Sequence, residues 1–510
     1  MSKTRKSQST GLNDLPLFQY STKRKLERLG VVDVGSNSVR LVVFDGAARS
    51  PAYFFNEKIL CGLGEGVAET GRLNPAGRER AIVAIRRFVA LAKGMDAEPL
   101  YAVATAAVRE AMDGADFIAE VKKRTGLHLL LASGEEEARL SAQGVLLGWP
   151  TARGLMCDIG GSSMELAEIS DGEIGHCVSS ALGPLKLASF GDGPELDAEI
   201  AHRVQRLRKG FSEDFETMFL VGGSWRAIAR LDMARRKYPL KVLHEYKMSP
   251  SEVLETTGWI HTQDPADMRS LIGTSQERMR LVPTAARILE RLIETFAPRE
   301  IAVSSYGIRE GLLYEQMPKS LRKRDPLIEA CLNMERASAR RPGFGKVLNE
   351  FLKPVFQRET KERKRLIRAA CLLHDVTWRA HPDYRAEVCF DNATRANLGG
   401  LDHAGRAFLG TALLHRYKNS GAGTVLDDVG RMLTPEEMQL ARIVGKAMRF
   451  GAMFAGASEK MSCELKVHRR RKVLELILHK GGEALFGEVV RTRFESLAVA
   501  LEMETLITTG

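Results

Sequence analysis

The sequence predicts an α/β protein of two tandem, related domains followed by a mainly α-helical C-terminal region. Three observations carry this expectation: strand and helix patterns alternate through the first half, a strand–turn–strand motif occurs twice, and β-rich segments become scarce after about residue 317. At 510 residues the chain exceeds what one hydrophobic core organises, so several domains are expected.

The elements follow in order. Residues 1–27 are basic and polar and read as a mobile tail, with no apolar stretch of the kind a secretory signal requires. Gly30 to Asp33 is the first strand signal; a Gly/Ser/Asn turn and a second β-rich run, Val39 to Phe44, follow and predict a hairpin. After Asn74-Pro75, apolar positions at Ile82, Ile85, Val89 and Leu91 predict a helix. A strand at Tyr101–Thr105, a helix near Asp116–Thr125, a strand at Leu127–Leu131 and a helix from about Ser133 complete the alternation, which is the signature of a sheet layered with helices.

The motif Asp33-Val34-Gly35-Ser36-Asn37-Ser38-Val39-Arg40-Leu41 recurs as Asp158-Ile159-Gly160-Gly161-Ser162-Ser163-Met164-Glu165-Leu166. The two aspartates are 158 − 33 = 125 positions apart, a plausible length for one small domain. The expected division is a tail at 1–27, a first domain at 28–150, a second at 151–316 and a helical region at 317–510.

Bulk composition excludes some functions and leaves others open. A 44% hydrophobic content argues against a disordered chain, and no apolar run approaches the roughly 20 residues of a membrane span. Seven cysteines without CxxC or zinc spacing read as reduced thiols of a cytoplasmic protein, with Cys157 and Cys177 as core packing. The net charge of +11 favours an anionic partner without naming it.

The turns carry the chemistry. Glycine lets backbone N–H groups approach an anion, and serine adds donors. An aspartate at the strand end repels phosphate unless a divalent cation lies between them, and Mg²⁺ is commonly held by one or two carboxylates plus phosphate oxygens. Asp33 and Asp158 both meet that description, against the plainer reading of an Asx turn capping its own loop. Gly222-Gly223-Ser224, between a strand and a helix opening at Trp225, forms a third glycine turn at a helix N-terminus. Ser133 followed by Glu135, Glu136 and Glu137 is a standard N-cap with acids at the dipole; three glutamates exceed what capping needs, so one is free to orient and deprotonate a water. Arg109 stands just past a strand, suited either to phosphate or to a surface pair with Glu110 or Asp113.

With these motifs in order, the chain resembles the exopolyphosphatase and guanosine pentaphosphate phosphohydrolase family, within the actin, sugar-kinase and heat-shock-chaperone superfamily. The resemblance spans about residues 28–316 through DVGSNSVRL, ATAAVREA, SGEEEARL, DIGGSSMEL, VGGSWRAIA and YGIREGLL. It implies two actin-like (ribonuclease-H-like) domains facing a cleft, with Glu137 as catalytic base and Arg109 as a phosphate-binding arginine. Asp158 and Glu165 become metal and phosphate contacts. Gly35, Ser36, Asn37, Ser38, Gly160, Gly161, Ser162, Ser163, Gly222, Gly223 and Ser224 fall where the family grips its substrate, and Arg278 resembles a further phosphate contact. Ala370 to Asp375 looks like the His-Asp pair of metal-dependent HD phosphohydrolases, yet residues 318–373 contain no histidine to complete the ligands. A related helical fold without that metal chemistry is expected, with His374 buried and hydrogen-bonded.

The implied activity is Mg²⁺-dependent, processive release of terminal phosphate from inorganic polyphosphate; the alternative is conversion of guanosine pentaphosphate to the tetraphosphate. Basic runs at 319–324, 336–341, 358–368, 415–418 and 468–472 tilt the balance towards polyphosphate, although each alone reads as a solvated helix face. A homodimer, no membrane and no nucleic acid are expected; aromatics are too sparse beside the basic runs for a single-strand binder. A superfamily kinase or ATPase and a non-catalytic polyanion binder are the competing classes, since fold alone does not settle function.

Overall fold

The first copy of the repeated motif folds as an antiparallel hairpin of β1 (Leu29–Val34) and β2 (Ser38–Phe44), its turn closed by Gly35 N–H donating to the Ser38 carbonyl at 3.1 Å. This comes from the computed structural model of the chain, which describes residues 28–46, 49–211, 214–419, 426–456 and 460–510; the expected basic tail lies outside them. β3 (Tyr53–Leu60) extends the hairpin, while β4 (Leu100–Ala104) and β5 (Leu130–Leu131) add in parallel, giving the order β3-β2-β1-β4-β5. The strand expected over 127–131 shortens to two residues, because only Leu130 and Leu131 pair with β4 at the sheet edge. Helix Pro75–Gly94 starts where expected: Asn74 accepts from Gly77 N–H, proline occupies the first turn, and Ile82, Ile85 and Phe88 face the core.

The second copy repeats the device. β6 (Gly154–Ile159) and β7 (Met164–Ser170) form a hairpin whose Gly160 N–H donates to the Ser163 carbonyl at 2.9 Å, matching the bond at Gly35. With β8 (Glu173–Ser180), β9 (Thr217–Gly222), β10 (Tyr246–Met248) and β11 (Glu300–Val303), the second sheet runs β10-β11-β9-β6-β7-β8. In both sheets the hairpin's first strand pairs in parallel with the strand that follows a helical crossover, β1 with β4 and β6 with β9.

Helix Gly134–Gly148 joins the two lobes. It is buried over most of its surface and packs on β6, β7 and β8 and on helix Ile308–Gln316. Residues from both lobes contribute to the core around it, among them Val31, Leu140, Met156 and Leu313, so the motif loops of the two sheets are held at fixed separation.

The molecule divides into two compact units. The first contains both lobes through Arg324, and the second contains Tyr238–Val242 with Asp325–Gly510. The second unit is mainly helical, as expected, but also holds a small sheet that the sequence reading did not foresee: β12 (Cys463–His468), β13 (Val473–Leu478) and β14 (Glu504–Thr509), in that order. The basic run 468–472 is the turn of its hairpin, with His468 paired to Glu475. Of the run 415–418, His415 and Arg416 are buried, Tyr417 donates to the His374 carbonyl and Lys418 pairs with Glu387. Most of that run therefore serves the interior rather than a channel wall. His374 is buried with Nδ1 at 2.8 Å from the Cys371 carbonyl. Asp375 takes a two-pronged contact from Arg340, at 2.6 and 2.8 Å. Burial opposes the Asp375 charge, but Arg340 outweighs it and holds the carboxyl below its usual range. Among the described residues, no helix is long and apolar enough to cross a membrane.

Candidate active site

The two hairpin turns face each other. A Cβ on Gly161 would lie 2.6 Å from the Ser36 hydroxyl oxygen, so the loops of the two lobes approach this closely only because position 161 is glycine. Beneath them lies a cavity of about 170 Å³, lined by Asp33, Gly35 and Ser36 from the first lobe and by Asp158, Gly160, Gly161, Ser162, Ser163 and Glu165 from the second. Glu137 and Ser141, one turn apart on the joining helix, complete the wall with Thr105, Ala106 and Ile308.

The three glutamates at the start of that helix separate by geometry. Ser133 Oγ accepts from Glu136 N–H and Glu136 returns the contact to Ser133 N–H, a complete capping box. Glu136 is thus spent on the cap, while Glu137, 8% exposed, turns into the cavity. Arg109 donates to Glu137 Oε2 at 2.6 Å and to the Ala132 carbonyl at 2.7 Å. The carboxylates considered as its surface partners are otherwise engaged, Glu110 with Lys186 and Asp113 with Arg78. Burial raises the Glu137 carboxyl to about 7, with Arg109 opposing the rise.

Asp158 and Glu165 are direct cross-strand neighbours on β6 and β7. Ser141 donates to Asp158 Oδ2 at 2.5 Å and Ser179 to Glu165 Oε1 at 2.9 Å. Burial raises both carboxyls, and for Glu165 the charges of Glu137 and Asp158 add to it. Two carboxylates in register, Glu165 buried and Asp158 half-buried, are stabilised by a proton or a cation between them, which is the donor set Mg²⁺ accepts when substrate oxygens and water supply its remaining ligands. Among the described residues no group of three or more His, Cys, Asp or Glu forms an all-protein metal cage. The residues therefore fit a cation shared with a phosphate rather than a structural metal.

The third glycine turn stands beside this cavity, outside its wall. Gly222 has φ of 115°, and a Cβ there would come 3.1 Å from Asp158 Oδ1. A Cβ on Gly223 would collide with the Arg278 guanidinium at 2.0 Å, so Arg278 lies directly over this turn. Ser224 is buried in the helix that follows, Asn37 offers its carbonyl to Cys61 and Gly62 N–H, and Ser38 begins β2. These three are brought near the loops without lining the cavity.

The sequence reading missed several neighbours. Arg309 donates to Asp33 Oδ2 at 3.0 Å, linking the helix Ile308–Gln316 to β1. Burial and the nearby Arg309 push Arg226 down to about 10. Arg309 was visible inside YGIREGLL but had no role there. Ser141 was signalled by its spacing of four from Glu137, which places both on one helix face.

Residues 42–320 match the Ppx/GppA phosphatase family and residues 332–504 match the C-terminal region of exopolyphosphatases. Exopolyphosphatase 1 of Mycobacterium tuberculosis is 28% identical over 308 residues, 57% of this chain and 88% of the relative. A guanosine-5'-triphosphate,3'-diphosphate pyrophosphatase of Aeromonas salmonicida is 24% identical over 437 residues, 81% of this chain and 85% of the relative. The crystal structure of an exopolyphosphatase from Cytophaga hutchinsonii superposes with a TM-score of 0.52 at 22% identity, covering 56% of this chain and 97% of that one. That likeness shows the fold of the part it covers, the two actin-like sheets. The chain belongs to the Ppx/GppA phosphatase family.

Proposed function

We propose that this protein is an exopolyphosphatase, a phosphoanhydride hydrolase that removes orthophosphate processively from the ends of inorganic polyphosphate. One observation carries the reading: Glu137 is buried at the floor of a cavity whose walls are hydroxyls and backbone turns from both lobes, with a carboxyl tuned to about 7. A base acting near neutral pH is most effective with that basicity. At about 170 Å³ the cavity holds the end of a phosphate chain; sites that enclose a drug-sized molecule run to roughly 300–1,000 Å³.

In this mechanism water attacks the terminal phosphorus in line with the bridging oxygen. Glu137 accepts the water's proton as the new P–O bond forms and the bridging P–O bond breaks, leaving orthophosphate and a chain shorter by one unit. Arg109 orients Glu137 and holds the terminal phosphate. N–H groups and hydroxyls of Ser36 and of Gly161–Ser163, which line the cavity, stabilise its equatorial oxygens, since preorganised donors cost no rearrangement as charge develops. Arg278, over the Gly222–Gly223 turn, suits a phosphate further along the chain. Asp158 and Glu165 would hold Mg²⁺, which supplies neutralisation of the charge on the phosphoryl oxygens.

A second substrate, guanosine pentaphosphate, is supported by the Aeromonas relative, whose likeness extends over 81% of this chain. We also propose a cytoplasmic homodimer. Seven free cysteines support the reducing compartment, and the dimer rests on the family resemblance. The test is phosphate release from long-chain polyphosphate with Mg²⁺, run beside guanosine pentaphosphate. Rapid release from the chain supports the reading, and release from the nucleotide alone would transfer the protein to the second substrate.

A further inference from the structure

The C-terminal unit contains a cavity of about 640 Å³ that the proposed reaction does not use. Its wall includes Met438, Arg442 and Lys446, which recur every four residues along one face of helix Pro435–Ala455. His415, the last residue of helix His403–His415, and Asp427 and Ala500 also line it. The size falls within the range of small-molecule sites.

Two features of the wall select a ligand. The first is uncompensated positive charge. Lys446 Nζ donates to the Ser496 hydroxyl at 3.1 Å and to its carbonyl at 3.4 Å, neither of them charged. Arg442 has no carboxylate partner among the described residues, whereas Arg431, also on the wall, is paired with Asp428.

The second is an unused acceptor. His415 is 2% exposed, and burial, with the charges of Arg442 and Lys446, lowers its ring to about 4, so it is neutral. Its Nδ1 lies 3.3 Å from the Lys418 carbonyl and must carry the hydrogen. Nε2 is then a bare lone pair, buried and without a partner among the described residues. A buried acceptor left unmade is destabilising.

A polyphosphate chain meets only half of these demands. It is anionic, but the oxygens of its interior units are acceptors only and offer no hydrogen to Nε2. A phosphorylated compound carrying hydroxyl or amino groups meets both demands at once.

We propose that this cavity is a second, non-catalytic site for an organic phosphate monoester bearing O–H or N–H donors, either a nucleotide or a sugar phosphate. The phosphate contacts Arg442 and Lys446, and a donor of the ligand reaches His415 Nε2. The test is isothermal titration of the full-length protein with AMP, GMP, ribose 5-phosphate and glucose 6-phosphate, with orthophosphate and tripolyphosphate as controls that carry no sugar hydroxyl or amino group. These monoesters have no anhydride bond, so the proposed phosphatase reaction leaves them intact. At least one should bind at one per chain and weaken tenfold or more in Arg442→Ala and in Lys446→Ala. Both residues reach solvent, so neither change should endanger folding. His415→Leu, checked for folding by circular dichroism, should weaken the same ligand while leaving orthophosphate unaffected. Binding by the nucleotides or by the sugar phosphates identifies which source the site reads. No heat from any of the four monoesters, or binding that survives Arg442→Ala and Lys446→Ala, overturns the proposal. Binding abolished by Glu137→Gln would place the ligand in the catalytic cavity and overturn it equally.

Discussion

Replacing Glu137 by Gln should separate catalysis from stability in opposite directions. In the folded chain the Glu137 carboxyl sits at about 7 against an ordinary 4.5, a difference of 2.5 units. At roughly 1.36 kcal/mol per unit, keeping it ionised in the fold costs about 3 kcal/mol. The folded state binds this proton more tightly than the unfolded chain, so the group's contribution is intact below about pH 4.5 and is lost as pH rises through about 7. Gln has no proton to lose. The stability of Glu137→Gln relative to wild type should therefore climb by about 2–3 kcal/mol between pH 5 and pH 8 and then level off. Relief of Glu165, held up by burial and by the Glu137 charge, acts in the same direction. Urea unfolding followed by tryptophan fluorescence at each pH reads this directly, since Trp149 and Trp225 lie in the catalytic unit. Over the same range, wild-type kcat/KM for polyphosphate should rise with pH to a plateau above about 7, and the variant should lose about 10²–10⁴-fold in kcat. A stability difference that stays flat with pH, or a variant within tenfold of wild-type activity, refutes the assignment of Glu137 as a buried base.

Three further outcomes test other parts of the structure. Ser141→Ala removes the hydroxyl that holds Asp158 Oδ2; Mg²⁺ affinity measured by calorimetry should fall about tenfold, the equivalent of one lost hydrogen bond to a charged group, and an unchanged affinity would show that Ser141 does not position the carboxylate. Gly161→Val sets side-chain carbon against Ser36 and Leu185 and should force the facing loops apart. Phosphate release should drop at least about a hundredfold, as misplacement of about 1 Å can produce, with circular dichroism unchanged. Arg340→Ala strips the two-pronged partner from buried Asp375. Because Arg340 is half exposed, the cost should be the lower part of the range for breaking such a pair, about 1–3 kcal/mol in the unfolding of the C-terminal unit.

Much of the fold was legible because its signals are local. The repeated Asp-x-Gly turns produced the same hairpin twice, since a glycine-serine turn between two β-rich runs admits few other conformations. Asn74-Pro75 and Ser133 marked helix starts that the structure reproduces almost to the residue. The small C-terminal sheet was missed because β12 and β13 are six residues each and are embedded in helical sequence. β14 pairs with β13 only after the intervening helix Glu488–Ala500.

The candidate site divides in the same way. Sequence alone determined the chemical inventory, namely two Asp-bearing glycine turns, a glutamate cluster at a helix start and an arginine after a strand, because these depend on residue type and near spacing. Residue type and spacing left open which glutamate turns inward and whether Arg109 meets a phosphate or a surface acid; only the family resemblance singled out Glu137 and a phosphate role for Arg109. Tertiary structure decided that Glu136 closes the cap, that Glu137 meets Arg109 from 28 positions away, and that Arg309 reaches Asp33 across 276. Those pairings exist only once the joining helix is packed against both sheets. The same burial that brings the groups together removes the water that would otherwise hold each carboxyl at its ordinary basicity.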